Sequence, residues 1–195
     1  MGKKIFLLRH GNTGLGQRYV GARDVPLSPE GIKRIAALKP MVRDWSLDAV
    51  LVSPMLRCRQ SAKLLSFPCS PAYEDDLREV DFGRWEGLNF SEICERDPEL
   101  VESWASRGPS FSFPEGEEMA TFQARVRIVG DRLAASSHQN ILVISHGGVI
   151  RSLICHFLKL AAENDLLFQL DKGNYASLKL YSEGGVLTGL NLGAQ

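Results

Sequence analysis

The chain has 195 residues, 44% of them hydrophobic, and a formal net charge of zero. That length suits one domain over 1–195, or one domain with a large insertion, and buries enough apolar surface to fold without disulfides or a structural metal. Balanced charge gives no global attraction to nucleic acid or a membrane surface, so neither is expected as a partner and any charge-based function must be local.

In chain order, Ile5-Phe6-Leu7-Leu8 is a short, continuous apolar run of the kind a strand buried on both faces needs. Arg9 ends it, which leaves it too short for a signal peptide. After a polar stretch to Asp24, Ser28-Pro29 predicts a helix, with Ser28 as N-cap and Ile32, Ile35, Ala36, Leu38 and Met41 as its buried stripe. Ala49–Val52 reads as a second buried strand. Ser53-Pro54 repeats the cap-plus-proline signal and predicts a helix through Met55 to Leu65. From Phe67 to Gly116 the pattern is irregular, with short helices near Ser91–Arg96 and Glu99–Ser106. Glu117 to Ser136 is amphipathic, with Met119, Phe122, Val126, Val129 and Leu133 on one face. Ile141–Ile144 is a third buried strand, followed by a helix from Gly148 to about Leu160. Tyr175 to Tyr181 alternates as a strand does, and Val186 to Leu192 predicts another. Tyr175 to Leu180 is read as an edge strand, either pairing in a homodimer or, as is commoner for edges, simply protected.

Strands alternating with helices give an α/β class with parallel pairing. No apolar run reaches membrane-spanning length. Cys58, Cys69, Cys94 and Cys155 form neither CxxC nor a Cys/His cluster, so neither a metal site nor a redox motif is supported. Scattered thiols suit a reducing compartment, and the expected location is the cytoplasm.

Three polar clusters, Arg9-His10-Gly11, Ser53 to Arg57 and Ser145-His146-Gly147, each follow a buried strand. In an open α/β sheet ligands bind at those strand ends, so the three converge. Arg9, Arg57, His10 and His146 then make an anion site. Guanidiniums match phosphate through paired N–H donors, and backbone N–H groups after Gly11 and at the Ser53 helix start can add to them. Neighbours at a strand end point different ways, so Arg9 can clamp while His10 attacks. A neutral imidazole nitrogen can form a covalent phosphorus bond, with Arg9, Arg57 and a protonated His146 stabilising the equatorial oxygens. The leaving oxygen needs a proton from a carboxylic acid; Glu79 is the first candidate, with Asp81 and Glu86 behind it. His138 and His156 read as structural. Phe82, Trp85, Phe90, Trp104, Phe111 and Phe113 form either an apolar substrate pocket or the core of their own segment.

Leu8-Arg9-His10-Gly11-Asn12-Thr13 resembles the Arg-His-Gly-Glu-Thr signature of the histidine phosphatase (phosphoglycerate mutase-like) superfamily. Arg18–Gly31, Ser53–Ala62, Leu77–Gly87 and Ser145–Arg151 are similar to the family's further motifs, in the family's order. The resemblance implies His10 as the phosphorylated nucleophile, Arg9, Arg57 and His146 as the phosphate pocket, and Glu79 as proton donor and later base. Asn12 and Gly147 are candidate phosphate contacts. It further implies a three-layer αβα fold, a mostly parallel sheet with helices on both faces, and a lid inserted at about 67–116. No metal or cofactor enters that chemistry. Asn12 replaces the usual glutamate, and Gly16 stands where the family usually has a phosphate-contacting asparagine; Asn12 or Gln17 are the candidate replacements. The Leu77–Gly87 and Trp104–Glu117 stretches look most like α-ribazole-5′-phosphate phosphatases. The implied activity is metal-independent hydrolysis of a small phosphorylated metabolite such as α-ribazole 5′-phosphate. Mutase-type phosphoryl transfer, which needs a bisphosphorylated primer, and a non-catalytic phosphate-binding regulator are the alternatives.

Overall fold

The structure, a computed structural model, describes residues 2–107 and 110–194. Residues 108 and 109, inside the expected lid, lie outside the described residues. The elements are β1 (Lys3–Arg9), α1 (Pro29–Ala37), α2 (Lys39–Asp44), β2 (Ala49–Val52), α3 (Leu56–Leu64), β3 (Ala72–Tyr73), α4 (Phe90–Arg96), α5 (Pro98–Arg107), α6 (Met119–Ala135), β4 (Asn140–Ser145), α7 (Gly147–Leu158), β5 (Tyr175–Tyr181) and β6 (Gly184–Leu192). Short 3-10 turns cover Asp75–Leu77, Gly83–Trp85 and Ala162–Leu167.

Six strands form one mostly parallel sheet in the order β3-β2-β4-β1-β5-β6. β1, β2 and β3 run parallel to β4 or to its neighbour, whereas β5 is antiparallel to both β1 and β6. The continuous apolar runs of β1 and β4 are explained by burial on two faces. Ile5, Leu7, Ile141 and Val143 join one core with the inner faces of α6 and α7. Leu8, Leu142 and Ile144 join another with Ile35, Val42, Cys58 and Ala62 of α1, α2 and α3. The architecture is therefore α/β in three layers, as expected.

Local signals account for the helix starts, with exceptions. Ser28 caps α1, its side chain accepting from Gly31 N–H at 3.1 Å. The expected stripe of α1 is corrected: Ile32 and Ala36 are exposed, and the buried line runs Gly31, Ile35, Leu38, Val42. Ile32 and Ala36 each follow a buried residue by one position, about 100° around the helix from the Gly31–Ile35 line, which turns them to solvent. Ser53 is not a helix cap either. α3 begins after Met55, which leaves the Ser53 hydroxyl for the site described below. β5 is not an edge strand, because β6 pairs along it. The sheet's edges are β6 and the two-residue β3, so edge pairing between copies would have to use one of these. No helix among the described residues is long and apolar enough to cross a membrane.

The aromatics of the 67–116 segment form a knot rather than a pocket. Trp85, Phe111 and Phe113 are buried, with ring centroids 5.2–5.7 Å apart, and Trp85 Nε1–H donates to Asp97 Oδ2 at 2.8 Å. Trp104 and Phe82 pack on this group from the outside, while Phe90 is exposed. Of the two readings of these residues, the segment's own core is the one observed.

Candidate active site

β2, β4 and β1 are adjacent and parallel, with Arg9 opposite Ser145 and Val52 opposite Ile144. Their C-terminal ends therefore deliver the three polar clusters to one place. The His10 and His146 rings meet edge to face, with centroids 5.1 Å apart. Arg57 Nε–H donates to His146 Nδ1 at 3.2 Å. Arg9 lies against the start of α7, where a Cβ on Gly147 would stand 3.2 Å from the Arg9 guanidinium carbon. His10, Arg57 and His146 are all buried.

The hydrogen bonds settle the tautomers. His10 Nδ1 lies 2.8 Å from the Gly11 carbonyl oxygen, which can only accept, so Nδ1 carries the proton and Nε2 keeps its lone pair. Burial, then the Arg57 and Arg9 charges, hold the His10 imidazole well below its ordinary value of 6.5. It is neutral near pH 7. His146 has the opposite tautomer. Nδ1 accepts from Arg57, so the proton sits on Nε2, which reaches Ser53 Oγ at 2.8 Å. Burial and the neighbouring Arg57 also push His146 well below 6.5. The expectation of a protonated His146 is thus corrected: beside two guanidiniums and away from water, its cation is disfavoured.

Arg57 makes four contacts inside the protein. Besides His146, it donates to the carbonyls of Arg23 at 2.8 Å, Gly21 at 2.9 Å and Val20 at 3.3 Å, pinning the loop that follows β1. Arg9 Nη1 donates to the Leu170 carbonyl at 2.6 Å, but its Nε is buried and has no partner among the described residues.

Glu79 sits across from the strand ends. Its Oε2 accepts from Gly148 N–H at the start of α7, at 3.0 Å, and its Oε1 from Val80 N–H at 3.2 Å. A Cβ on Gly148 would lie 2.5 Å from Oε1, so only glycine admits the carboxylate this closely. The other candidate acids are engaged elsewhere. Glu86 Oε1 gathers N–H groups of Gly21, Ala22 and Phe82, and Asp81 Oδ1 closes a turn on Gly83 N–H. Asn12 Oδ1 accepts from Gly14 N–H at 3.1 Å, and Gln17 is exposed. His138 is exposed, and His156 pairs with Asp131 at 3.2 Å on the far side of α7, both away from the cluster.

Sequence reasoning missed four contributors. Ser53 holds the His146 tautomer. Ser61 Oγ ties Gly11 N–H to the Arg57 carbonyl, at 3.2 and 2.7 Å. Cys58 Sγ packs 3.5 Å from His146 Nε2, and burial pushes its thiol up to about 12, so it stays neutral. Arg125 of α6 uses all five N–H donors. Two go to Glu117, and three to the carbonyls of Asp76, Arg78 and Glu79, fixing the backbone that bears Glu79. Ser53, Cys58 and Ser61 lie within the Ser53–Ala62 stretch that the sequence singles out, though without these roles, and Arg125 lies outside every motif.

The histidine phosphatase superfamily (branch 1) model matches residues 5–193. The chain belongs to that superfamily. This phosphatase is 31% identical to the adenosylcobalamin/alpha-ribazole phosphatase of Escherichia coli K12, over 96% of the chain and 95% of the relative. It is 26% identical to phosphoserine phosphatase 1 of Hydrogenobacter thermophilus, over 97% and 92%. The crystal structure of the alpha-ribazole phosphatase from Shigella flexneri superposes with a TM-score of 0.88 at 28% identity, covering 97% of this chain and 96% of that one. The phosphatase spans about half the length of the bifunctional protein Rv2228c of Mycobacterium tuberculosis, to which it is 34% identical over 93% of its own length.

Proposed function

We propose that this phosphatase hydrolyses a small phosphomonoester through a phosphohistidine on His10. The observation that carries the reading is the His10 tautomer: a buried, neutral imidazole whose free Nε2 lone pair lies among Arg9, Arg57 and His146. Nε2 attacks phosphorus and the bond to the leaving oxygen breaks, while Glu79 supplies that oxygen with a proton. Glu79, now a carboxylate, takes a proton from water. The water oxygen attacks phosphorus, the P–N bond breaks, and phosphate leaves with His10 restored. Arg9 and Arg57 bind the equatorial oxygens, Gly147 adds an N–H at the positive end of α7, and Asn12 adds its amide nitrogen. His146 steadies Arg57 and walls the pocket. The 67–116 segment acts as the lid.

The leaving group faces a cleft of about 390 Å³ beside Glu79, lined by Ala22, Met55, Arg78, Asp81, Glu115 and Glu117 among others. α-Ribazole 5′-phosphate is the first candidate substrate, supported by the names of the E. coli and Shigella relatives. Phosphoserine is the second. The cleft's carboxylates, set beside Arg78 and Arg125, suit a leaving group that bears both an ammonium and a carboxylate, and the Hydrogenobacter relative bears that name. The kcat/KM ratio for the two distinguishes them.

Mechanism is tested by mass spectrometry of enzyme quenched rapidly at neutral or alkaline pH, after mixing with p-nitrophenyl phosphate and no added metal. The expected result is turnover with phosphate trapped on His10, both lost in His10→Ala. Undiminished hydrolysis by that variant would remove His10 as nucleophile. Tight phosphate binding without turnover of any phosphomonoester would point to a binding protein.

A further inference from the structure

Lys172 belongs to none of the motifs above, yet it is fastened against the nucleophile. The next residue, Gly173, donates its N–H to the carbonyls of both Arg9 and His10, at 3.1 and 3.0 Å. From that anchor the half-buried Lys172 side chain crosses to the loop following His10, where Nζ donates to the Gly16 carbonyl at 2.9 Å. An ammonium has three N–H donors. The Gly16 carbonyl takes one, and the other two meet no protein acceptor among the described residues.

Charge around His10 is unbalanced. Among the described residues neither Arg9, Arg57 nor Lys172 has a carboxylate within ion-pair distance. Each is wholly or partly buried, an arrangement that costs stability unless an anion completes it. Donor supply is also uneven. Arg57 has four contacts to the protein, so most of its fork is already taken. Of the two expected loop replacements, Gln17 is exposed, and Asn12, with Oδ1 fixed by Gly14 N–H, offers a neutral amide donor but no charge. Lys172 brings two uncommitted donors and a full charge. The repulsion it feels from Arg9 and Arg57, which with burial lowers its basicity, places it in the same positive field.

We propose that Lys172 is a phosphate-binding residue, its ammonium held at the His10 pocket by the Gly16 carbonyl and donating to a non-bridging oxygen of the phosphoryl group. The proposal rests on the phosphatase reading of the site. It makes the loop after His10 a backbone tether for a cation, rather than a source of a side-chain amide.

The test compares Lys172→Gln and Lys172→Arg with the unaltered chain, using inorganic phosphate as the probe in calorimetry at fixed pH and ionic strength. Glutamine removes the charge and ends one bond shorter, so Lys172→Arg, which keeps charge and reach, is the control that separates the two. Expected is a rise of about tenfold or more in the phosphate Kd of Lys172→Gln, with most of the affinity retained in Lys172→Arg. KM for p-nitrophenyl phosphate should rise in parallel, with the melting temperature unchanged. Phosphate affinity in Lys172→Gln equal to that of the unaltered chain would overturn the role of Lys172 alone. An unaltered chain that does not bind phosphate would overturn the phosphatase reading beneath it.

Discussion

The strand-end cluster and the aromatic knot of the 67–116 segment are both buried, and they are built on opposite principles. The first packs polar groups, His10, Arg57 and His146, with their tautomers set by single hydrogen bonds. The second packs Trp85, Phe111 and Phe113, with one polar link from Trp85 to Asp97. Cations beside neutral imidazoles do not optimise stability, whereas stacked and edge-to-face aromatics do. Activity and stability should therefore respond to different substitutions.

The largest effect expected is on chemistry alone. Glu79→Gln keeps the shape of the side chain but not its proton transfer, and should lower kcat by about 10²–10⁴-fold in steady-state assays. Its urea midpoint should stay near that of the unaltered chain. Trp85→Ala should do the converse, destabilising by about 3–5 kcal/mol in urea titration as a cavity opens in the knot. Phosphate affinity of the molecules that remain folded should persist. Loss of phosphate binding at full stability would break the contrast.

Arg125 joins the two regions, which makes it the sharper probe. Arg125→Lys cannot reproduce five planar donors, so the Asp76–Glu79 backbone loosens. A displaced Glu79 should cost up to about 10²-fold in kcat. Phosphate Kd should move much less, because all five Arg125 donors go to Glu117 and the Asp76–Glu79 backbone and none to His10, Arg9, Arg57 or His146. Equal changes in kcat and Kd would show that the cluster and the Glu79 segment are not separate.

The pH response has a definite sign. His10 and His146 are held below 6.5 by burial first and by the neighbouring arginines second. In the unfolded chain both titrate near the ordinary 6.5. Below that pH the unfolded state binds more protons, so stability should fall as pH drops from about 6.5, measured by thermal melts at constant ionic strength. For the same reason the acid limb of kcat/KM that reports His10 should lie below 6.5. The smallest effect is expected from Gly16→Asn. Gly16 has φ +60, which asparagine tolerates, and a Cβ there meets nothing within 4 Å. Its stability should change by less than about 0.5 kcal/mol.

What could be seen in advance follows from how local each signal is. The buried strands were legible because two-faced burial makes Ile5–Leu8 and Ile141–Ile144 unbroken apolar runs, and the clusters that follow them are contiguous. Ser28 was legible as a cap because proline follows it. Ser53 shows the same local pattern without being a cap, because its partner His146 follows a different strand, β4. The pairing of β5 with β6 has no local signal, because alternation records which faces are buried and says nothing of a neighbouring strand. Arg125 and Lys172 look like ordinary surface cations until the fold brings them to carbonyls 46–49 and 156 residues away.

The position of β1 also bears on how the chain is made. Within residues 1–195 the strand that leads into His10 precedes both of its sheet neighbours, residues 140–145 and 175–181. Until those emerge, Ile5–Leu8 has no sheet to join, and closure waits on contacts of high sequence separation. The His10 pocket therefore cannot close before residues 175–181 are available, and until then Ile5–Leu8 is an exposed apolar run of the kind chaperones bind.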